Sequence, residues 1–157
     1  MLTDVERRLQ RVTLMPLLSL ALCLVGLGLA GYLTVEHFAG SSTLACPDTG
    51  IVNCLKVTTS SYSSLFGIPV ALLGLLFFAA MTPLCAPMAW RSTNPLVHRA
   101  RLAVSGIGVA FVVYLVAVEL FAVDAICLWC TAVHITTVTL FAMVAVGSAL
   151  RPGGSSR

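Results

Sequence analysis

The chemistry this sequence can perform resides in four cysteines. Cys127 and Cys130 stand in AICLWCTAVH (125–134), two residues apart at the threshold of a long apolar run. Cys46 and Cys54 lie in an earlier stretch rich in Ser, Thr and Gly, HFAGSSTLACPDTGIVNCLKVTTSSYSSLFGIP. Four thiols allow three disulfide connectivities, and three kinds of chemistry compete for them. Inert structural bridges are one and a zinc site another, although only one pair has close ligand spacing and no His or carboxylate clearly completes a tetrahedron. The third is a relay of electrons by thiol–disulfide exchange, which the local chemistry favours.

If a helix begins near Ala125, both motif thiols occupy its first turn. Unpaired backbone N–H groups and the helix dipole there favour a thiolate. Such a pair is nucleophilic and its disulfide is easily reduced. Structural disulfides rarely use so short a ring. At a helix mouth the pair can meet a lipid-dissolved acceptor on one side and an aqueous thiol on the other, and a membrane quinone is a natural two-electron acceptor. Trp129 could cover a quinone ring, or could anchor the helix at the membrane interface. Cys46 and Cys54, if joined, close a nine-residue ring with Pro47 and Gly50 at its turn. That pair could accept electrons from a soluble thiol and pass them to Cys127.

The elements that must position these thiols are membrane helices. Of 157 residues, 59% are hydrophobic and 10% charged, with a mean hydropathy of +1.01. Soluble domains carry about 25% charged residues, and crossing a ~30 Å hydrocarbon core takes roughly 20 apolar residues. Four spans are expected, at about 13–36, 66–86, 101–122 and 125–149, with an outer cysteine loop at 37–65. The expected architecture is an all-α, four-transmembrane-helix bundle forming one domain over 1–157, its first span retained rather than cleaved as a signal.

Orientation follows from the basic residues. Arg7, Arg8, Arg11, Arg91, Arg99, Arg101, Arg151 and Arg157 flank the spans on one side, and only Lys56 falls on the other. Both termini are therefore expected in the cytoplasm, with all four relay cysteines outside, where disulfides persist. The net charge of +3 expresses this bias; no basic patch interleaved with aromatics and no phosphate-cradling loop points to nucleic acid. The basic start (Val5, Leu9 and Val12 among the arginines) is expected on the anionic leaflet, and the tail RPGGSSR as disordered. Cys23 and Cys85 read as small hydrophobes within the bundle.

Taken in order, the paired loop cysteines, the Ser-rich continuation, LFGIPVALLG opening the second span and CLWC opening the fourth resemble the vitamin K epoxide reductase family, its bacterial branch most closely. The likeness covers about residues 14–149. It implies a four-helix bundle around a quinone, with the outer loop and a short surface helix capping the site. It also implies a disulfide-generating oxidase of the plasma (inner) membrane. By position, Cys46 would exchange with a thioredoxin-like partner, Cys54 would relay to Cys127, and Cys130 would face the quinone (menaquinone, ubiquinone or a vitamin K type). Ser60 matches a hydroxyl associated with the family's active site. Many bacterial relatives carry a fused thioredoxin-like domain after the last helix. This chain stops at Arg157, so the implied partner is a separate, DsbA-like thiol oxidase. Animal members commonly have Tyr where His134 stands here, a departure that bears on whether epoxide chemistry carries over. DsbB, also a four-helix quinone-linked oxidase, has the two cysteine pairs in the reverse order.

His134, one turn below Cys130 on the same face, could bond a quinone carbonyl or supply a proton; packing against a neighbouring carbonyl is the alternative. Glu119 sits near the outer end of span three, a functional position or a snorkelling one. Asp124 is expected to cap the last helix, and Glu36 and His37 to mark a boundary. The reading is a quinone-dependent thiol oxidoreductase. Reduction of vitamin K epoxide or quinone is the alternative activity, and a tetraspan with inert disulfides the non-enzymatic one.

Overall fold

The computed structural model describes the backbone of residues 4–40, 44–47 and 49–149, with side chains from Leu14 onward. The expected leaflet-facing side chains of residues 5–12 and the 151–157 tail lie outside the described residues. The chain is predominantly helical. Helix α1 runs Asp4–Phe38, α2 Cys54–Thr58, α3 Val70–Cys85, α4 Pro87–Arg91, α5 Pro95–Val118 and α6 Leu128–Ala149. Three of these carry segments long and apolar enough to cross a membrane: Leu14–Phe38, Leu128–Ala149, and α5 continued through a π-helical turn to Val123. The fourth apolar helix, α3, is shorter at 16 residues, about 24 Å at 1.5 Å per residue.

The second expected span therefore begins four residues late. LFGIP is no part of its helix. Residues Ser64–Leu65 (β1) and Ile68–Pro69 (β2) pair antiparallel, Ser64 opposite Pro69 and Leu65 opposite Ile68. Phe66 and Gly67 turn the corner with φ of +52° and +80°, the two-residue hairpin geometry that matches strand twist. Pro69 then starts α3 without a side-chain cap. At its far end Pro83 and Pro87 flank a break, and the chain folds into the short α4. Helix α5 opens on Asn94, whose side chain accepts the Leu96 N–H at 2.9 Å with Pro95 in the first turn.

Helix α1 packs against α3 and α6, and α5 against α6 and α3, so the four long helices close a ring. Their inner faces bury Cys23, Ala30, Phe78, Met81, Cys85, Leu140 and Val144, joined by Trp90 of α4. Gly26 lies hard against the Phe78 ring, a side chain at Gly108 would meet Phe77 at 2.6 Å, and one at Gly147 would meet Trp90 at 2.5 Å. Small residues at these crossings admit the large rings, as membrane helix packing requires. Outward, every long helix exposes large apolar side chains, among them Leu24, Leu76, Ile107 and Ile135. Water would oppose that surface, whereas hydrocarbon would not.

Candidate active site

At the outer-loop end of the ring, the cysteine loop is built onto the start of α6. Asn53 caps α2, its Oδ1 accepting the Lys56 N–H at 2.8 Å. Cys54 is thus fixed in the first residue of that helix. Cys46 and Cys54 form a disulfide with Cα atoms 6.0 Å apart, and Gly50 turns the chain between them at φ +85°. Val52 then makes a parallel bridge with Ile126. The Ile126 N–H donates to Ile51 O at 2.9 Å, and the Asn53 N–H donates to Ile126 O at 3.1 Å. Parallel segments run about 4.8 Å apart, so this ladder brings the stretches that carry Cys54 and Cys127 to the same end of the bundle. Both cysteines are sealed from solvent, 1% and 0% exposed. Lys56 Nζ adds a bond to Asp124 O at 3.2 Å.

The other end of the loop is gripped by two aromatic side chains. Trp129 Nε1 donates to Ala45 O at 2.8 Å, and the Ala45 N–H donates to the Tyr32 hydroxyl at 3.2 Å. The two rings pack 4.7 Å apart. Trp129 therefore holds the residue next to Cys46 and is not among the residues that line the cavity described below. Tyr32 escaped the sequence reading, because a lone Tyr in an apolar helix carries no signal of its partner.

The start of α6 also differs from expectation. Asp124 does not cap it: with φ +52° this residue is left-handed and ends the π-helical turn Glu119–Val123, its N–H bonded to Glu119 O. The helix begins at Leu128, and Cys127 takes the capping position. Its Sγ accepts the Cys130 N–H at 3.2 Å, and its carbonyl accepts the Thr131 N–H at 2.9 Å. The Cys127 thiol is held below its ordinary pKa, first by the Cys130 thiol that donates to it and then by the N–H groups of Cys130 and Trp129; burial and the Glu119 charge act the other way. A sulfur at an N-cap meets the donors that stabilise a thiolate.

Behind Cys130 opens a cavity of about 290 Å³, near the lower end of ligand pockets (roughly 300–1,000 Å³). Phe77 and Phe78 of α3 and Ile107, Phe111 and Val112 of α5 make its apolar walls. Its polar points include Cys130, His134, Glu119, His37 and Ser60. His134 is 6% exposed, and its ring makes no hydrogen bond among the described residues. The Ser60 hydroxyl donates to Val57 O at 2.8 Å. Glu36 and His37 do mark the boundary, since α1 ends at Phe38; His37 also lines the cavity, and Glu36 beside it is buried. A flat apolar ring with two carbonyl oxygens fits this lining: aromatic walls, a few donors and a thiol at one edge. Among the described residues no three His, Cys, Asp or Glu side chains converge as a metal ion would require.

Fold and site together define a multi-pass helical protein with a thiol–disulfide centre at one end of its bundle. The chain belongs to the vitamin K epoxide reductase family. The sequence model of that family matches residues 17–145, a stretch that contains all four relay cysteines. Membership implies oxidoreductase activity. No curated protein matches the chain.

Proposed function

We propose that this protein is a quinone-linked thiol oxidase that makes disulfides in a thioredoxin-fold, DsbA-like partner. One observation carries the reading: the loop that holds the Cys46–Cys54 disulfide is bridged to the residue before sealed Cys127, and Cys130 alone of the four cysteines lines the apolar cavity. In this scheme a partner thiolate attacks Cys46 Sγ and Cys54 leaves as thiolate. The partner's second thiolate displaces Cys46, so the partner is oxidised and the loop pair reduced. Cys54 attacks Cys127 of the oxidised inner pair and releases Cys130. Cys46 then attacks Cys54, which restores the loop disulfide and leaves Cys127 and Cys130 as thiols, the arrangement found here. A quinone bound in the cavity supplies a two-electron, two-proton acceptor. The walls of Phe77, Phe78 and Phe111 would hold its ring and keep water out, and His134 and Ser60 would orient its oxygens.

The same reading makes α1, α3, α5 and α6 four membrane spans, with the hairpin and α4 completing the short α3. The arginine bias then sets both termini in the cytoplasm and the thiol centre outside. Which quinone is used, ubiquinone, menaquinone or a vitamin K type, is an outcome of the test. Purified protein in detergent would be given each quinone and a reduced thioredoxin-like protein while quinone absorbance is followed. Turnover by wild type and its loss in both Cys54→Ala and Cys130→Ala are expected. An inert wild type whose disulfides also resist mild reductant would sink the reading in favour of a structural tetraspan.

A further inference from the structure

Exchange between the two cysteine pairs must join two sulfurs that solvent does not reach. Cys54 is 1% exposed and Cys127 0%, whereas Cys46 is half-buried. A soluble dithiol cannot carry electrons across this step, so its rate depends on how the protein holds Cys54 and Cys127. Orientation counts steeply in such a reaction: a displacement of about 1 Å can cost on the order of 100-fold in rate. In the arrangement found here the Cys46–Cys54 disulfide itself fixes Cys54. In the relay just proposed, Cys54 attacks only after that disulfide has opened. The covalent tie is gone at the moment when the position of Cys54 matters.

The ties that remain gather at Asn53. Its Oδ1 accepts the Lys56 N–H at 2.8 Å and its carbonyl accepts the Val57 N–H at 3.3 Å, so Asn53 forms the start of α2 around Cys54. Its own N–H donates to Ile126 O at 3.1 Å, on the residue before Cys127. One residue thus bonds the helix that begins with Cys54 to the stretch that leads into Cys127. The Ile126 N–H returns a bond to Ile51 O at 2.9 Å, and Lys56 Nζ donates to Asp124 O at 3.2 Å. None of these bonds involves a sulfur, so opening the disulfide removes none of them. Helix α2 has only five residues, and a helix so short holds its first turn poorly without a cap.

We propose that Asn53 is the positioning residue of the exchange between the two pairs and that Lys56 supports it. Together they keep Cys54 directed at Cys127 while the loop pair is reduced. The step they serve balances. The Cys54 thiolate attacks Cys127 Sγ, the Cys54–Cys127 bond forms as the Cys127–Cys130 bond breaks, and Cys130 leaves with the electron pair as a thiolate. Asn53 makes and breaks no covalent bond; it acts through Cys54. The inference rests on the two-pair relay of the proposed function, and its test separates the failure of one from the failure of the other.

The test isolates this step in full-length protein in detergent carrying Cys46→Ala, where Cys46 cannot resolve a Cys54–Cys127 disulfide. The protein is oxidised with a small disulfide, free thiols are alkylated, and peptide mapping gives the ratio of Cys54–Cys127 to Cys127–Cys130 disulfide. With no quinone and no partner present, that ratio reads the effective concentration of Cys54 at Cys127. Adding Asn53→Ala is expected to lower it about fivefold or more, the usual effect of losing an N-cap. Asn53→Asp keeps an acceptor at the cap and should restore most of the ratio. Lys56→Met should lower it by a smaller factor that Lys56→Arg recovers. A ratio indifferent to both Asn53→Ala and Lys56→Met would overturn the proposal and leave the relay standing. Failure to form any Cys54–Cys127 disulfide with Asn53 in place would overturn the relay order, and the proposal with it. With Cys46 restored, rapid quenching should show Asn53→Ala slowing transfer from the reduced loop pair to the inner disulfide by a similar factor. Oxidation of the reduced inner pair by quinone should keep its wild-type rate. Equal loss in both steps would show that Asn53 supports the whole site rather than the exchange, and would overturn the proposal.

Discussion

The protein carries two pairs of touching thiols, and only one of them is placed to react. Cys127 and Cys130 meet at the loop-covered end of the bundle; Cys23 and Cys85 meet near the other end, within hydrogen-bonding reach of one another. The first pair has the disulfide-bearing loop bridged to Ile126, the residue before one cysteine, and a cavity beside the other. The second is closed in by Phe78, Met81 and Trp90 and is fully buried. Its polar neighbours hold structure together. The Ser19 hydroxyl donates to Pro16 O at 3.1 Å, Trp90 Nε1 donates to Ser19 Oγ at 3.1 Å, and the buried Arg101 guanidinium stacks 3.6 Å over the Trp90 ring while donating to Leu84 O at 3.2 Å. Contact between thiols is common to both pairs. What separates them is a route for electrons in and out, because exchange requires an attacking sulfur to reach a disulfide.

The sharpest way to break this contrast is to delete each pair. Cys130→Ala and Cys54→Ala should reduce quinone turnover to background. Cys23→Ala and Cys85→Ala should leave turnover at the wild-type rate and cost about 1 kcal/mol of stability each, an ordinary core loss. Turnover lost in Cys23→Ala at a temperature where the variant remains folded would show a second thiol pair on the electron path, and the contrast would fall.

Reactivity should divide the pairs next. In folded protein treated with mild reductant, iodoacetamide should label the Cys127–Cys130 pair at least about 100-fold faster than Cys23 or Cys85, whose exposure requires opening of the bundle. The sign of the pH dependence follows from the N-cap. Because the Cys127 thiol is held below its ordinary pKa, the labelling profile of the inner pair should half-saturate below the roughly 8.5 of a free thiol. A midpoint at or above that value would mean that the helix start does not stabilise the thiolate.

Packing offers a finer test, since each pair has a glycine that admits a ring beside it. A methyl at Gly108 would push Phe77 toward the cavity, and one at Gly147 would push Trp90 in the inner cluster. Overpacking of this kind costs about 1–3 kcal/mol in either place. Gly108→Ala is expected to raise the KM for quinone several-fold. Gly147→Ala should lower Tm by a similar energy and leave KM unchanged. If the two variants behaved alike, the cavity would not be the quinone site.

Much of this was legible in the sequence, and the reasons it was not elsewhere are physical. Four long apolar stretches gave the helices, because hydrophobic runs of that length have few other folds to enter. The apolar run after the cysteine motif put a helix start near Ala125; the helix starts at Leu128, with Cys127 just before it and Cys130 in its first turn. LFGIP was read as span because its residues are apolar; the hairpin depends on Phe66 adopting a positive φ, which few non-glycine residues do. Asp124 has the composition of a cap, yet the π-turn consumes the backbone that would have placed it, and a sulfur caps instead. Asn53, three residues before Lys56, did carry a helix-start signal that could have located α2. The cavity, Tyr32 and the neighbourhood of Glu119 are relations between distant segments, and no local pattern encodes them.

The smallest expected effect bears on how the outer pair is kept ready. Ala45, next to Cys46, has its carbonyl bonded by Trp129 and its N–H by Tyr32. Removing one such bond costs about 1 kcal/mol, or roughly fivefold in the population of a loosened loop. Trp129→Phe should therefore speed reduction of the Cys46–Cys54 disulfide by a small dithiol about that much, with labelling of Cys130 unchanged. Tyr32→Phe should act in the same direction. Because both bonds fix one residue, Ala45, the double variant should fall short of the product of the two effects. Rates that multiply would mean that the two rings act on separate motions of the loop. Rates that do not change would mean that the disulfide and the Val52–Ile126 bridge alone hold Cys46 in place, and that the contrast between the two thiol pairs owes nothing to the aromatic grip.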